Sequence, residues 1–216
     1  MAQVFGPGAN SLARLTLLGA ALGLVVAFVV AEVYVRSPYV TGVGAPVDQP
    51  VPFSHKHHVT DDGIDCRYCH TSVETSSFAG MPSTQTCMNC HSQIWAQSPV
   101  LEPVRQSFRT GQPLQWNRVN NVAGFVYFDH SIHVNKGVGC STCHGRVDQM
   151  ALTSKAQSFQ MSFCLECHET PAHFIRPESE VFNMAWQPPP NQDELGRQLV
   201  EAYHVQSKIS CSTCHR

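Results

Sequence analysis

Two stretches carry one pattern: FSHKHHVTDDGIDCRYCH, residues 53–70, and FDHSIHVNKGVGCSTCH, residues 128–144. Each opens on Phe-x-His-x-x-His, supplied by Phe53, His55 and His58 in the first and by Phe128, His130 and His133 in the second. Seven or eight residues later each reaches C-x-x-C-H. That pentapeptide occurs five times, at Cys66/Cys69/His70, Cys87/Cys90/His91, Cys140/Cys143/His144, Cys164/Cys167/His168 and Cys211/Cys214/His215. The ten cysteines of the chain are all used, with none left over.

Ten cysteines ordinarily suggest five disulfides outside the cytoplasm, or zinc inside it. A histidine following the second cysteine every time excludes both readings. C-x-x-C-H is the attachment sequence of c-type haem, in which two thiols become thioethers and the histidine becomes the proximal iron ligand. Zinc fails on parity as well, because structural sites take two cysteine pairs and a fifth pair would be stranded. The sequence therefore predicts five covalently held haems, with His70, His91, His144, His168 and His215 on the irons.

The composition agrees with a core not made of side chains. Of 216 residues 14% are charged and 43% apolar, and the formal net charge is -2. Soluble domains average about 25% charged and about 45–50% apolar residues. A basic surface able to neutralise nucleic-acid phosphates is excluded by the same figures. Seven proline-bearing interruptions, from Pro82 to the run Pro188-Pro189-Pro190, break periodicity. The best soluble helix spans 194–207, with Leu195, Leu199, Val200 and Tyr203 on one face.

The organisation expected along the chain follows. A short segment, 1–14, lies on the cytoplasmic side, and 15–35 forms an uncleaved transmembrane signal anchor. The charge-free run from Leu15 to Ala31 exceeds a signal-peptide core, and no small-x-small cleavage site follows it. A linker rich in Gly and Pro occupies 36–52. A first di-haem module with its connector covers 53–127, a second covers 128–196, and a terminal mono-haem half-module covers 197–216. Haem c is attached outside energy-conserving membranes, which puts the haem modules on the outer side of the inner membrane.

Seven histidines remain for the sixth iron positions. His55 and His58, like His130 and His133, stand three residues apart on one side of a turn, so each pair can serve two neighbouring irons. His57 and His173 are expected to be solvated. For the fifth iron the candidates are His204, seven residues before Cys211 in a trace of a third repeat, and the thioethers of Met150 and Met161.

The Phe-x-His-x-x-His boxes resemble the distal boxes of the cytochrome c3/c7 class. Over nearly its whole length, through FGPGANSLAR, the two boxes with their motifs, LEPVRQSF, EVFNM and SCSTCHR, the chain resembles the membrane-anchored pentahaem subunit of bacterial alternative complex III. The resemblance implies a class III, mostly irregular and helical multihaem cytochrome c with one N-terminal transmembrane helix and little β structure. It also implies an electron-transfer subunit without a catalytic residue of its own. Implied partners are an iron–sulfur subunit, polytopic quinol-binding subunits and a monohaem cytochrome c, with quinol oxidised by the assembly. It strengthens Met150 and Met161, whereas the repeat favours His204. Two other readings stand beside it: a catalytic pentahaem reductase of the nitrite type, and an anchored tetrahaem-type quinol dehydrogenase.

Overall fold

The computed structural model describes residues 4–215. The chain divides into two compact units at Gly42 and Val43, inside the expected linker.

The first unit is one helix, Ala9–Arg36, followed by a short turn of helix, Pro38–Thr41. At 1.5 Å per residue, 28 residues reach about 42 Å, enough to cross a bilayer. None of its residues is buried. It starts six residues before the apolar run, taking Asn10, Ser11 and Arg14 into its first turns. At the other end Arg36 Nε donates to Glu32 across one turn at 3.0 Å, and Ser37 Oγ donates to the Tyr34 carbonyl at 2.6 Å. Tyr34 and Tyr39 meet with ring centroids 6.0 Å apart, the amphipathic pair favoured at a membrane–water boundary.

The second unit, residues 43–215, is built of short helices joined by irregular chain. Its β structure among the described residues amounts to four isolated bridges, including Val43 with Lys155 and Val138 with Ile175. Each C-x-x-C-H forms a helical turn: Cys66–Cys69, Thr84–His91, Cys140–His144, Met161–Glu169 and Cys211–Cys214. A helical turn sets the two thiols, three residues apart, on one face. Extended residues precede all five turns, and Asp65 caps the first by accepting from the Arg67 amide at 2.8 Å.

Buried apolar side chains are few and fall into two small clusters. Val51, Leu101 and Val104 gather Cys87, Met88, Leu114 and Trp116 around them, which seats the Glu102–Thr110 helix on the second motif. Val73, Val134 and Val181 gather Ala79, Cys140 and Phe182. Both clusters include a motif cysteine, so the chain's own packing is organised around the attachment turns.

The helix expected over 194–207 forms as Gln192–Ala202. It begins earlier because the Gln192 side chain donates to the Ala172 and Ile175 carbonyls at 2.8 and 2.9 Å. It stops earlier because His204 adopts φ +51°, which ends an α-helix. Gly196 lies against Ala172 so closely that a Cβ would meet that residue's backbone carbonyl.

Candidate functional site

The two boxes have the same three-dimensional form. Phe53 stacks on His58 at 4.4 Å and 24° and meets His55 edge-on at 4.9 Å and 88°. Phe128 stacks on His133 at 4.4 Å and 26° and meets His130 edge-on at 4.8 Å and 89°. In each box the second histidine donates through Nδ1 to the carbonyl four residues before it, Ser54 at 2.9 Å and Asp129 at 2.6 Å. The repeat read from sequence is thus a repeat of ring and hydrogen-bond geometry.

One difference separates the boxes, and its cause is local. From His58 to Cys66 is eight residues, from His133 to Cys140 seven. The first box winds as a π-helical turn, Lys56–Asp61, where the second winds as an α-helix, His130–Asn135. A π turn takes up one extra residue without displacing what flanks it, so both histidines keep their places against Phe53.

These histidines face the motif histidines. Ring centroids are 6.1 Å apart for His58 and His91, 6.4 Å for His130 and His144, and 6.1 Å for His133 and His168. Two imidazoles bound through Nε2 to opposite sides of one metal ion, at metal–nitrogen distances near 2.0 Å, have centroids about 6.3 Å apart. The described residues contain no cluster of three His, Cys, Asp or Glu side chains of the kind that holds a lone metal ion. The imidazoles stand in opposed pairs instead. His55 lies beside His70, which helps to hold its pKa down.

The hydrogen bonds also select the nitrogen. A carbonyl only accepts, so each histidine that meets one carries a proton on Nδ1, and the neutral ring so held has its lone pair on Nε2. This holds for His58 and His133, for His70 on Gly80 at 2.8 Å, and for His91 on Ile94 at 3.0 Å. It holds equally for His130 on Ser77 at 2.9 Å and His215 on Phe125 at 3.3 Å. His55 pairs through Nδ1 with the Thr153 hydroxyl at 3.0 Å. Thr153 and the carbonyls of Gly80, Ser77 and Phe125 come from distant segments, and the motifs give no sequence signal for them.

Burial, followed by the charge of neighbouring histidines, lowers His55 and His144 to a pKa of about 4. Burial lowers His133 as well. All three are therefore neutral, the form that ligates iron. The ten cysteines are unpaired with one another. Burial pushes the Cys143 thiol up to about 12 and those of Cys140 and Cys167 up to about 11, the reverse of what a redox-active or zinc-binding thiolate needs.

The polypeptide does not cover all ten thiols alike. Cys90 and Cys211 are exposed, whereas the other eight are half-buried. Within the second motif the two cysteines part company: Cys87 packs on the Val51, Leu101 and Val104 cluster, and Cys90 stands outside it. The cause is position in the helix, since Cys90 is the penultimate residue of Thr84–His91 and the chain turns away just beyond it, with the Gln93 and Ile94 amides both donating to the Cys90 carbonyl at 2.9 Å. Spacing makes the ten cysteines equivalent, and the fold does not.

The remaining histidines have other surroundings. His57 directs both ring nitrogens towards carboxylates, Asp61 at 3.8 Å and Asp62 at 3.6 Å, and lies parallel to Trp95. His173 faces Asp193 at 3.6 Å in the open. His204 is exposed. Met150 is half-buried and accepts from the Ser154 hydroxyl at 3.8 Å, whereas Met161, first in its helix, is 66% exposed. The ring against His215 is that of Phe125, at 5.6 Å.

Arg176 carries no sequence signal yet lies in the middle of the unit, 4% exposed. Its guanidinium sits over Trp186 at 4.4 Å and against Gly139, donating to Thr142 Oγ1 at 3.2 Å and to the Asn183 carbonyl at 3.3 Å. Nε has no hydrogen-bond partner, and no carboxylate lies at ion-pair distance, among the described residues. A buried cation thus rests on the third attachment turn.

Five thiol pairs on helical turns and opposed imidazoles give a helical and irregular fold of the c3/c7-like multihaem kind, a class whose members carry c-type haem. The family described as Cytochrome c3 matches residues 132–216, and that described as Cytochrome c7 and related cytochrome c matches residues 51–105. Over 221 aligned residues the chain is 28% identical to the multiheme cytochrome c subunit of menaquinone reductase from Nitratidesulfovibrio vulgaris, covering 96% of this chain and 95% of that one.

Proposed function

We propose that the chain is a membrane-anchored, five-haem electron relay inside a quinone- or quinol-linked oxidoreductase. The observation that carries this is the set of opposed imidazole pairs, each with its box histidine anchored through Nδ1, set against five attachment turns. Haem c, when bound, supplies a one-electron carrier at each turn. The thioethers would come from the ten motif cysteines, the exposed Cys90 and Cys211 included, and the proximal ligands would be His70, His91, His144, His168 and His215. His55, His58, His130 and His133 would be the distal ligands. For the fifth the candidates stay Met150, His204 and Met161, the last lying one turn before Cys164. Irons closed on both sides favour transfer over the chemistry of a nitrite-type reductase, which needs an open position.

The Ala9–Arg36 helix would hold the relay in the inner membrane with its haem body on the outer side. The assembly proposed is of the alternative complex III kind, with iron–sulfur, polytopic quinol-binding and monohaem cytochrome partners, in which electrons leave quinol. The relative's name favours a second reading, in which the same relay delivers electrons to menaquinone. The purified complex decides. A pyridine haemochrome must give five haems per chain. A quinol analogue should then reduce them in the complex but not in the isolated subunit. Reduction in the isolated subunit would favour direct quinol oxidation, and a count below five would defeat the relay.

A further inference from the structure

Three of the four box histidines are supported by main chain, and one is not. His58, His130 and His133 each donate through Nδ1 to a carbonyl, at 2.9, 2.9 and 2.6 Å. His55 meets the Thr153 hydroxyl instead, at 3.0 Å, from a residue 98 positions further along the chain. The two boxes share one ring geometry, so His55 and His130 hold equivalent places on unlike supports.

Thr153 is itself held in place. Its carbonyl accepts from the Val47 amide at 3.2 Å, and two residues on the Lys155 carbonyl accepts from the Gly44 amide at 2.8 Å, with Pro46 bridged to Ser154 between them. On the box side, Lys56 N donates to the Met150 carbonyl at 3.1 Å and Thr60 Oγ1 to the Asp148 carbonyl at 2.6 Å. The stretch carrying Thr153 is thus tied both to the chain before the box and to the box itself. A β-branched side chain on a fixed backbone has few χ1 choices, and Thr153 and His55 are both half-buried. The hydroxyl is therefore a built support for the ring and not a passing contact.

An imidazole that shares its Nδ1 proton with an acceptor becomes more basic at Nε2, and a more basic axial ligand favours ferric iron. A hydroxyl oxygen accepts less strongly than a peptide carbonyl and, unlike a carbonyl, can be removed by substitution. We infer that Thr153 is the positioning residue of His55 and that its hydroxyl sets the potential of the haem that His55 serves. Two boxes of one geometry are in this way made electronically unequal. This rests on the relay reading, in which His55 is a distal ligand, and adds to it the side chain that acts through the ring.

Equilibrium redox titration of the full-length, five-haem protein in its complex tests this. T153V keeps the shape of threonine and removes the acceptor, so one fifth of the absorbance change should move to higher potential. Loss of a partner of this kind typically changes metal affinity by 10–100-fold, and a tenfold change in the redox equilibrium is about 59 mV for one electron. T153S should titrate as the unaltered protein does. A high-spin signal from one haem in T153V, absent in T153S, would equally show the ring to be held by the hydroxyl. Unshifted, fully low-spin T153V would overturn the proposal, and so would T153S shifting as far as T153V, because the methyl group would then be what matters. In H55M, which has no ring to support, T153V should add no further shift; the same shift in both backgrounds would place the hydroxyl's effect on another haem and overturn the proposal. H55M alone is read first. A near-infrared magnetic circular dichroism spectrum unchanged in H55M would take His55 off the iron and defeat that part of the relay reading, and the proposal with it.

Discussion

Replacing His133 by methionine tests the opposed imidazoles most directly. The ring stands 6.1 Å from His168 and 4.4 Å from Phe128, and its Nδ1 donates to Asp129 at 2.6 Å. A thioether can take the ring's place on iron but brings no N–H and no π face. The lost hydrogen bond costs about 0.5–1.5 kcal/mol and the lost stacking a similar amount, so about 1–3 kcal/mol in all. On the proposed relay reading, in which ten thioethers would tie the chain to its cofactors, that is too little to unfold it, so H133M should still carry five haems. Exchange of His for Met raises a haem's potential. One site in five changes, and one fifth of the absorbance change in an equilibrium redox titration should move to higher potential. Near-infrared magnetic circular dichroism should show methionine ligation in the same proportion. The geometry further says which site moves. The shifted fraction should persist when C140A/C143A is added and vanish with C164A/C167A. Persistence in the second background, or five unshifted haems in H133M alone, would refute the pairing of His133 with His168.

Other expectations concern features outside the iron ligands. R176M should lower the potential of the haem on the third motif, because a charge one helix diameter away, about 10 Å, at an effective dielectric near 20 is worth about 2 kcal/mol; R176K should retain most of it, and unchanged titrations in R176M would show the charge to be screened. G196A should destabilise the haem body by about 1–3 kcal/mol in chemical denaturation, because the added methyl meets the Ala172 carbonyl, although alanine is the better helix former by about 1 kcal/mol. A stabilised G196A would mean that the Pro171–His173 turn yields. H57A and H173A should leave the haem spectra and potentials unchanged, and a new high-spin band in either would make that histidine a ligand.

What the sequence revealed was whatever repeats within a few residues. The Phe-x-His-x-x-His boxes were legible because a three-residue spacing fixes two side chains on one turn, and the structure gives both boxes the same ring geometry. The C-x-x-C-H turns were legible for the same reason, but the unequal cover of Cys87 and Cys90 was not, because it depends on which side of the turn the Glu102–Thr110 helix packs. The supports of the histidines were hidden too, because Thr153, Ser77 and Gly80 reach them across long loops and have no fixed spacing. Apolar periodicity carried the 194–207 helix past its end, since the positive φ of His204 leaves no mark in hydropathy. Arg176 was missed because an arginine reads as surface until Gly137 and Gly139 are seen to leave room for it. The third trace of the repeat keeps a histidine but not the turn beneath it, and there His204 is exposed.

The paired histidines have one more consequence. His130 and His133 occupy a single helical turn, where residues three apart have their β-carbons about 5–6 Å from each other, and they face His144 and His168 respectively. The gap an electron would tunnel across between those two sites is therefore set by backbone stereochemistry and not by the packing of two separate bodies. Thermal motion carries both sites together, as two rungs fixed to one rail. Hopping rates between them should then vary little with viscosity or with substitutions at the surface, leaving driving force as the quantity through which that step is tuned.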